Sequence, residues 1–254
     1  MQAQRPAWSD AWGSMALAWY CLVNAHVLRL APHRERFLRV LLDIGARGLA
    51  DAGLRAAAFG TLLIAPLVHT LTASPELTVR LLAVLLVREA GPLLAAILLL
   101  LRSGTMLAAR LSSMSHDGEA RSLRLLGLST RDYLAVPAVL AFACATLILT
   151  FYFELAAVAG GIVISAVLLD LPVREMFSHL ALALTPLDVC YVALKSTVFG
   201  VIIATFAAWH GLDKGEHGSV PETVSRAVMQ SLFALLLFNG LAAMLLYGML
   251  APAG

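Results

Sequence analysis

An arginine and a glutamate stand side by side, Arg88-Glu89, inside an apolar run from about Leu81 to Leu101, and Ala90-Gly91-Pro92 follows. A charge placed at mid-bilayer costs about 2.5–3.5 kcal/mol even on the lower insertion scales. Such residues face a bundle interior, a cavity or a partner chain, unless they lie near a helix end and snorkel to water. Lys195 poses the same problem in a later apolar run. The economical chemistry is pairing: Glu89 and Lys195 meet across the bundle, or meet polar groups of a substrate, and line or brace a polar zone in an apolar cavity. The competing expectation is that Lys195 snorkels outward.

Other chemistries lack their residues. No glycine-rich loop ends in Lys-Ser/Thr, so ATP has no loop of the usual kind. No His-Glu-x-x-His motif or cysteine pair suggests a metal, and no Gly-x-Ser-x-Gly elbow suggests a nucleophile. His69, His179 and His210 are isolated and read as packing or interface histidines. Cys21, Cys144 and Cys190 lie in apolar stretches and read as small buried hydrophobes. The expectation is a protein that is not an enzyme.

The elements that position these residues follow from composition. Of 254 residues, 60% are hydrophobic and 13% charged, against roughly 25% charged in soluble domains. The fold class expected is an all-α integral membrane protein, with an N-terminal interfacial helix, five transmembrane helices, and a cytoplasmic coupling helix between spans two and three. Residues 1–50 form the cytoplasmic N-terminus with the interfacial helix, and 51–254 a membrane domain. No cleavable signal is evident at the start. Met15 to Leu30, interrupted by Asn24, His26 and Arg29, reads as the interfacial helix. Spans are expected at about Gly53–Leu71, Leu77–Leu101 (continuing toward Arg110), within Tyr133–Leu169, at Val189–Trp209 and at Val224–Leu250. The third run is too long for one straight crossing, so Gly160-Gly161 is expected to mark its outer end or a kink. A short amphipathic piece is expected near Val173–Leu184.

Lys and Arg concentrate before residue 50, in 102–131 and in 210–226, whereas the opposite loops hold only Arg80 and Arg174. That asymmetry places the N-terminus in the cytoplasm and, with five spans, the C-terminus outside. Small residues four apart (Gly104 with Ala108, Gly200 with Ala204, Ala204 with Ala208) allow close helix approach, within the chain first of all. In Met114 to Gly127, residues Leu111, Met114, Leu123 and Leu126 fall on roughly one helical face, with Asp117, Glu119, Arg121 and Arg124 elsewhere. A helix there is either a docking element for a soluble partner or a plain surface helix.

In this order and spacing the motifs resemble those of the MlaE/YrbE permeases, the membrane subunits of MCE-type ABC lipid transporters, over roughly Leu81 to Leu250. Arg88-Glu89-Ala90-Gly91-Pro92 followed by Leu101-Arg102-Ser103-Gly104 is similar to the family's Arg-Glu-Leu-Gly-Pro and Gly-Arg-x-Gly. Met114 to Leu123, then Leu126-Gly127-Leu128 and Tyr133 to Pro137, resemble its coupling segment and the turn after it. Lys195-Ser196-Thr197-Val198-Phe199-Gly200 resembles Lys-Ser-x-x-Phe-Gly, and Val224-Ser225-Arg226-Ala227-Val228 resembles Val-(Gly/Ser)-Arg-Ala-Thr. The chain departs from the pattern at Gly118 and Arg121, where the family has acids, and at Asn239 in the last span.

The resemblance implies a dimeric permease, with a second copy or a paralogue, that binds a cytoplasmic ABC ATPase and a periplasmic MCE-domain protein. It implies movement of phospholipids or similar amphiphiles between the inner membrane and the outer envelope of a diderm bacterium. It implies no cofactor on this chain, with ATP bound by the partner ATPase, and neither a metal nor a nucleic-acid partner. Arg88, Glu89, Lys195 and Asn239 are the expected cavity residues. Met114, Asp117, Glu119, Arg121, Leu123 and Arg226 are the expected ATPase-coupling residues. The departures motivate a rival expectation, a non-transporting scaffold or the degenerate partner of a heterodimeric permease.

Overall fold

The computed structural model describes residues 7–29, 31–46, 53–58, 62, 83–169, 185–213 and 219–250. All regular structure among them is helical. Helix α1 is Ala7–Val23; a 3₁₀ stretch, Asn24–Arg29, leads to α2, Ala31–Ala46. Helix α3 is one continuous rod made of four pieces. Ala83–Ala90 and Leu100–Gly104 are π-helical, and Gly91–Leu99 and Thr105–His116 are α-helical. The short α4 is Glu119–Leu125. A π-helical turn, Arg131–Ala135, opens directly into α5, Val136–Leu169. Helices α6, Pro186–Asp213, and α7, Val220–Leu250, complete the bundle.

Four stretches are long and apolar enough to cross a membrane: Val87–His116, Arg131–Gly160, Pro186–Leu212 and Val220–Leu246. These are the second to fifth spans expected from sequence. Most of the first expected span, Gly53 to Leu71, lies outside the described residues, as do His69, His179 and the amphipathic piece at 173–184. Helix α1 is not among the membrane-crossing stretches. It exposes Trp12, Met15 and Trp19, and Tyr20 donates a 2.7 Å hydrogen bond to Asp132 Oδ1 at the start of α5.

Prolines explain two of the three wide turns among the described residues. Residue 92 has no N–H to offer the carbonyl four residues back, and residue 137 has none for Tyr133. In each case the turn just before the proline is π-helical, which keeps the rod continuous.

Helix α6 is the centre, touching α1, α3, α5 and α7. Phe199, Ile203, Phe142, Leu100, Leu111 and Leu235 are buried around it. Lipid tails are as apolar as leucine, so close packing, rather than escape from water, must hold such helices together. Gly200 shows how: a Cβ there would stand 2.4 Å from the Phe142 carbonyl oxygen. The small residues four apart thus serve packing within the chain, since Gly104 lies against Ile203 and Ala108, Ala204 and Ala208 are buried.

The third membrane-crossing stretch ends at Gly160, as expected, while α5 itself continues to Leu169. Gly160 is also a contact point, where a Cβ would meet the Ala57 carbonyl oxygen at 2.5 Å. Two expectations need correction. Of the cysteines only Cys21 is buried, and burial pushes its thiol up to about 12, while Cys144 and Cys190 are exposed. The 114–127 segment is not one helix. Met114 closes α3, Gly118 turns the chain with φ +77°, and Gly127 ends α4 with the same φ.

Candidate functional site

Four charged side chains converge where the start of α3 meets the start of α6. The local sequence of α6 explains one of them. Thr185 stands before Pro186, a residue suited to the first helical position, and Asp188 follows three residues after the threonine. Asp188 Oδ2 accepts the Thr185 N–H at 2.9 Å and the Thr185 hydroxyl at 2.8 Å, the reach-back half of a capping box. The other oxygen, Oδ1, is left for Arg88 Nη2 at 2.8 Å.

Tyr191 and Lys195 lie three and seven residues beyond Asp188, on the same face of α6. Lys195 is only 2% exposed. Its Nζ donates to Glu89 Oε2 at 2.7 Å and to the Arg88 carbonyl oxygen at 3.0 Å, and it lies 5.2 Å from the centroid of the Tyr191 ring. That carbonyl is the one Pro92 cannot serve. The Arg-Glu-x-Gly-Pro order therefore delivers three things to α6: a guanidinium for Asp188, a carboxylate for Lys195 and a carbonyl lone pair for the same ammonium. Each charge is met by its opposite, as a low-dielectric bundle demands. Glu89 keeps one acceptor, Oε1, buried without a hydrogen-bond partner among the described residues.

The structure brings together Arg88, Glu89 and Lys195 of the expected cavity residues. Asn239 does not join them by a hydrogen bond, and its half-buried Oδ1 has no partner among the described residues. At the other end of α3, the expected coupling residues divide. Met114 and Leu123 pack partly buried on the core, with Leu111 fully buried. Asp117, Glu119 and Arg121 are exposed. Leu126 is not on the packed face: it is 76% exposed, beside Leu125 at 82%. Arg226 pairs with Glu222 one turn earlier, at 2.5 Å on an exposed face.

Sequence reasoning passed over two acids. Asp188 falls just before the span expected at Val189–Trp209; Thr-Pro-x-Asp is the signal of an earlier helix start. Glu154 is the sole carboxylate of α5, 8% exposed, with Oε1 buried and unpartnered among the described residues. A lone acid in an apolar run that long was itself the clue. His210 is buried, with Nε2 2.7 Å from Gln230 Oε1.

A family model described as permease MlaE matches residues 37–245. A probable ABC transporter permease protein from Synechocystis is 29% identical over 221 residues, covering 85% of this chain and 84% of that protein. A probable ABC transporter permease protein from Rickettsia felis is 26% identical over 228 residues, 88% of each chain. The Arabidopsis thaliana protein named trigalactosyldiacylglycerol 1, chloroplastic, is 29% identical over 155 residues, 61% of this chain. The matched stretch spans less than half, 44%, of the Arabidopsis protein.

Proposed function

The chain belongs to the MlaE permease family and is the permease subunit of an ABC transporter; from that premise we propose that it moves phospholipid-like amphiphiles between the bacterial inner membrane and the outer envelope. ATP hydrolysis is the work of a separate ATPase subunit. The observation that carries the lipid reading is the buried ionic cluster of Arg88, Asp188, Glu89 and Lys195 within an otherwise apolar bundle. An amphiphile needs both surfaces: apolar helix faces for acyl chains and a polar zone for the headgroup. Glu89 Oε1 leaves one acceptor open to a headgroup donor. The Arabidopsis relative, whose name is that of a galactolipid, supports the same cargo class.

The working unit is a dimer whose cavity opens outward toward a periplasmic MCE-domain protein. Helix α7 supports a second copy, because Phe233, Leu237, Leu241 and Met244 are exposed along it. The ATPase grips α4 from the cytoplasm, and closure of the ATPase pair moves α4 and the inner end of α3. Gly118 and Arg121 favour a second reading, in which this chain is the weaker-coupled member of a heterodimer.

The test is gentle purification of the tagged chain from its native membrane, with proteins and lipids identified by mass spectrometry. Recovery of an ATPase, an MCE-domain protein and phospholipid is the expected result, and the permease stoichiometry separates homodimer from heterodimer. Recovery of the chain without an ATPase in any nucleotide state overturns the coupling role, and absence of lipid overturns the cargo.

A further inference from the structure

Far from the Glu89–Lys195 pair, the geometry points to a second polar site: a cleft between α2, α3 and the start of α5 in which Arg36, Arg39 and Arg110 hold the phosphate of an anionic phospholipid of the membrane itself. Glu89 and Arg110 are separated by twenty-one residues of one rod, about 31 Å at 1.5 Å per residue. The two sites therefore lie at opposite ends of α3, and the second shares its end with α4.

The cleft measures about 160 Å³ and is lined by the three arginines and by Tyr133, room for more than a water's share of about 30 Å³. Arg36 is half-buried, with its guanidinium 4.8 Å over the Tyr133 ring, and His33 closes the same ring edge-on at 5.8 Å. Burial lowers the Arg36 pKa; Tyr133 opposes that, and the nearby Arg110 and Arg39 lower it further. Three guanidiniums thus crowd one cleft and repel. Glu35 and Asp43 also line it. Among the described residues neither acid forms an ion pair with Arg36, Arg39 or Arg110. The charge is left for an anion from outside. Guanidinium forks suit phosphate oxygens.

Two features choose a lipid over a free anion. The remaining wall of the cleft is apolar, including Val40, Leu107, Leu111 and Ala138. Helix α2 turns Leu38 and Leu42 outward, 42% and 65% exposed, while Val40, Leu41 and Ile44 pack inward. The exposed side of α2 mixes these leucines with Arg34, Glu35, Arg39 and Asp43, and a helix of that mixed make-up suits the membrane interface. The cleft beneath it then sits at headgroup depth, where basic pockets between helices take anionic lipids. This site is independent of the cargo reading; it needs only that the chain resides in a bilayer.

The test titrates the delipidated full-length chain in mild detergent with dioctanoyl phosphatidylglycerol, dioctanoyl phosphatidylcholine or inorganic phosphate, reading bound lipid by native mass spectrometry. The expected result is preference for phosphatidylglycerol. Arg39→Gln and Arg110→Gln, both at exposed positions, should each weaken it by about fivefold. The Arg39→Lys/Arg110→Lys variant should keep most of the binding. Equal binding of the two lipids, or glutamine variants that bind as wild type, overturns the site. Displacement by millimolar inorganic phosphate makes it a free-anion site and overturns the lipid. Loss of ATPase association with lipid binding intact makes it a protein-docking surface and overturns it too.

Discussion

Lys195 Nζ lies 2.7 Å from Glu89 Oε2 while the Arg88 carbonyl oxygen, deprived of a helical donor by Pro92, accepts from the same ammonium at 3.0 Å. One cation therefore ties α6 to a side chain and to the main chain of α3. Removing it strands a carboxylate. Lys195→Met should cost about 3–5 kcal/mol, as breaking buried pairs does. Glu89→Gln added to it should recover a substantial part. Thermal unfolding of the four proteins of the cycle measures this, and simple additivity of the two substitutions would show that the contact contributes nothing specific.

Pro92→Ala tests the carbonyl. The alanine N–H can bond back to Arg88 and draw the wide turn toward an ordinary α-helical one. Lys195 would lose its second acceptor and become more reactive toward an amine-selective label. Unchanged labelling would mean that the proline does not govern the turn.

Gly118 sits at φ +77° with no atom within 4 Å of a would-be Cβ. Any cost of a side chain there is conformational. Gly118→Ala should destabilise by about 1–2 kcal/mol, and Gly118→Asn by less, since asparagine tolerates this region. Thermal melting gives the cost, and transporter-stimulated ATP hydrolysis shows whether the angle between α3 and α4 matters for coupling.

Leu125 and Leu126 are 82% and 76% exposed in a segment expected to face the ATPase. Leu125→Ser/Leu126→Ser should leave the melting temperature nearly unchanged, within about 0.5 kcal/mol per site. Co-purification of the ATPase should fall sharply. Full retention of the ATPase would place the docking surface elsewhere.

Glu154 carries a buried, unpartnered carboxyl oxygen among the described residues. An unsatisfied buried polar group costs about 1–3 kcal/mol, so Glu154→Leu should raise the melting point. A lowered melting point would reveal a partner that the single chain lacks. Transport by the stabilised variant then separates a structural oddity from a working acid.

Much of this was legible in the sequence. Four of the five expected spans match described crossing helices, because apolar length alone defines a crossing; the second is displaced, at Val87–His116 against the expected Leu77–Leu101. Pairing of Glu89 with Lys195 followed from the cost of leaving either alone. Asp188 did not, because its role depends on Thr185 and on a helix starting earlier than hydropathy indicates. The break at Gly118 was hidden for a similar reason. Amphipathic spacing runs smoothly through 114–127, and only the backbone angle shows that Met114 and Leu126 belong to different elements. The cysteines misled because burial in a bilayer and burial in a bundle read alike in sequence, so Cys144 and Cys190 could not be told from Cys21.

The wide turn at Leu100–Gly104 lies between the two ends of α3, one fastened to α6 by Lys195 and Arg88, the other turning through Gly118 into α4. The other end is fastened as well: Ser115 donates to the Leu212 carbonyl oxygen at 3.3 Å, and Leu111 packs against Gly211. Sliding α3 along α6 would break these contacts together with the 2.7–3.0 Å contacts beside Glu89. The two helices are therefore riveted at both ends into one girder, and a push delivered to α4 would shift the pair as a single body rather than α3 alone.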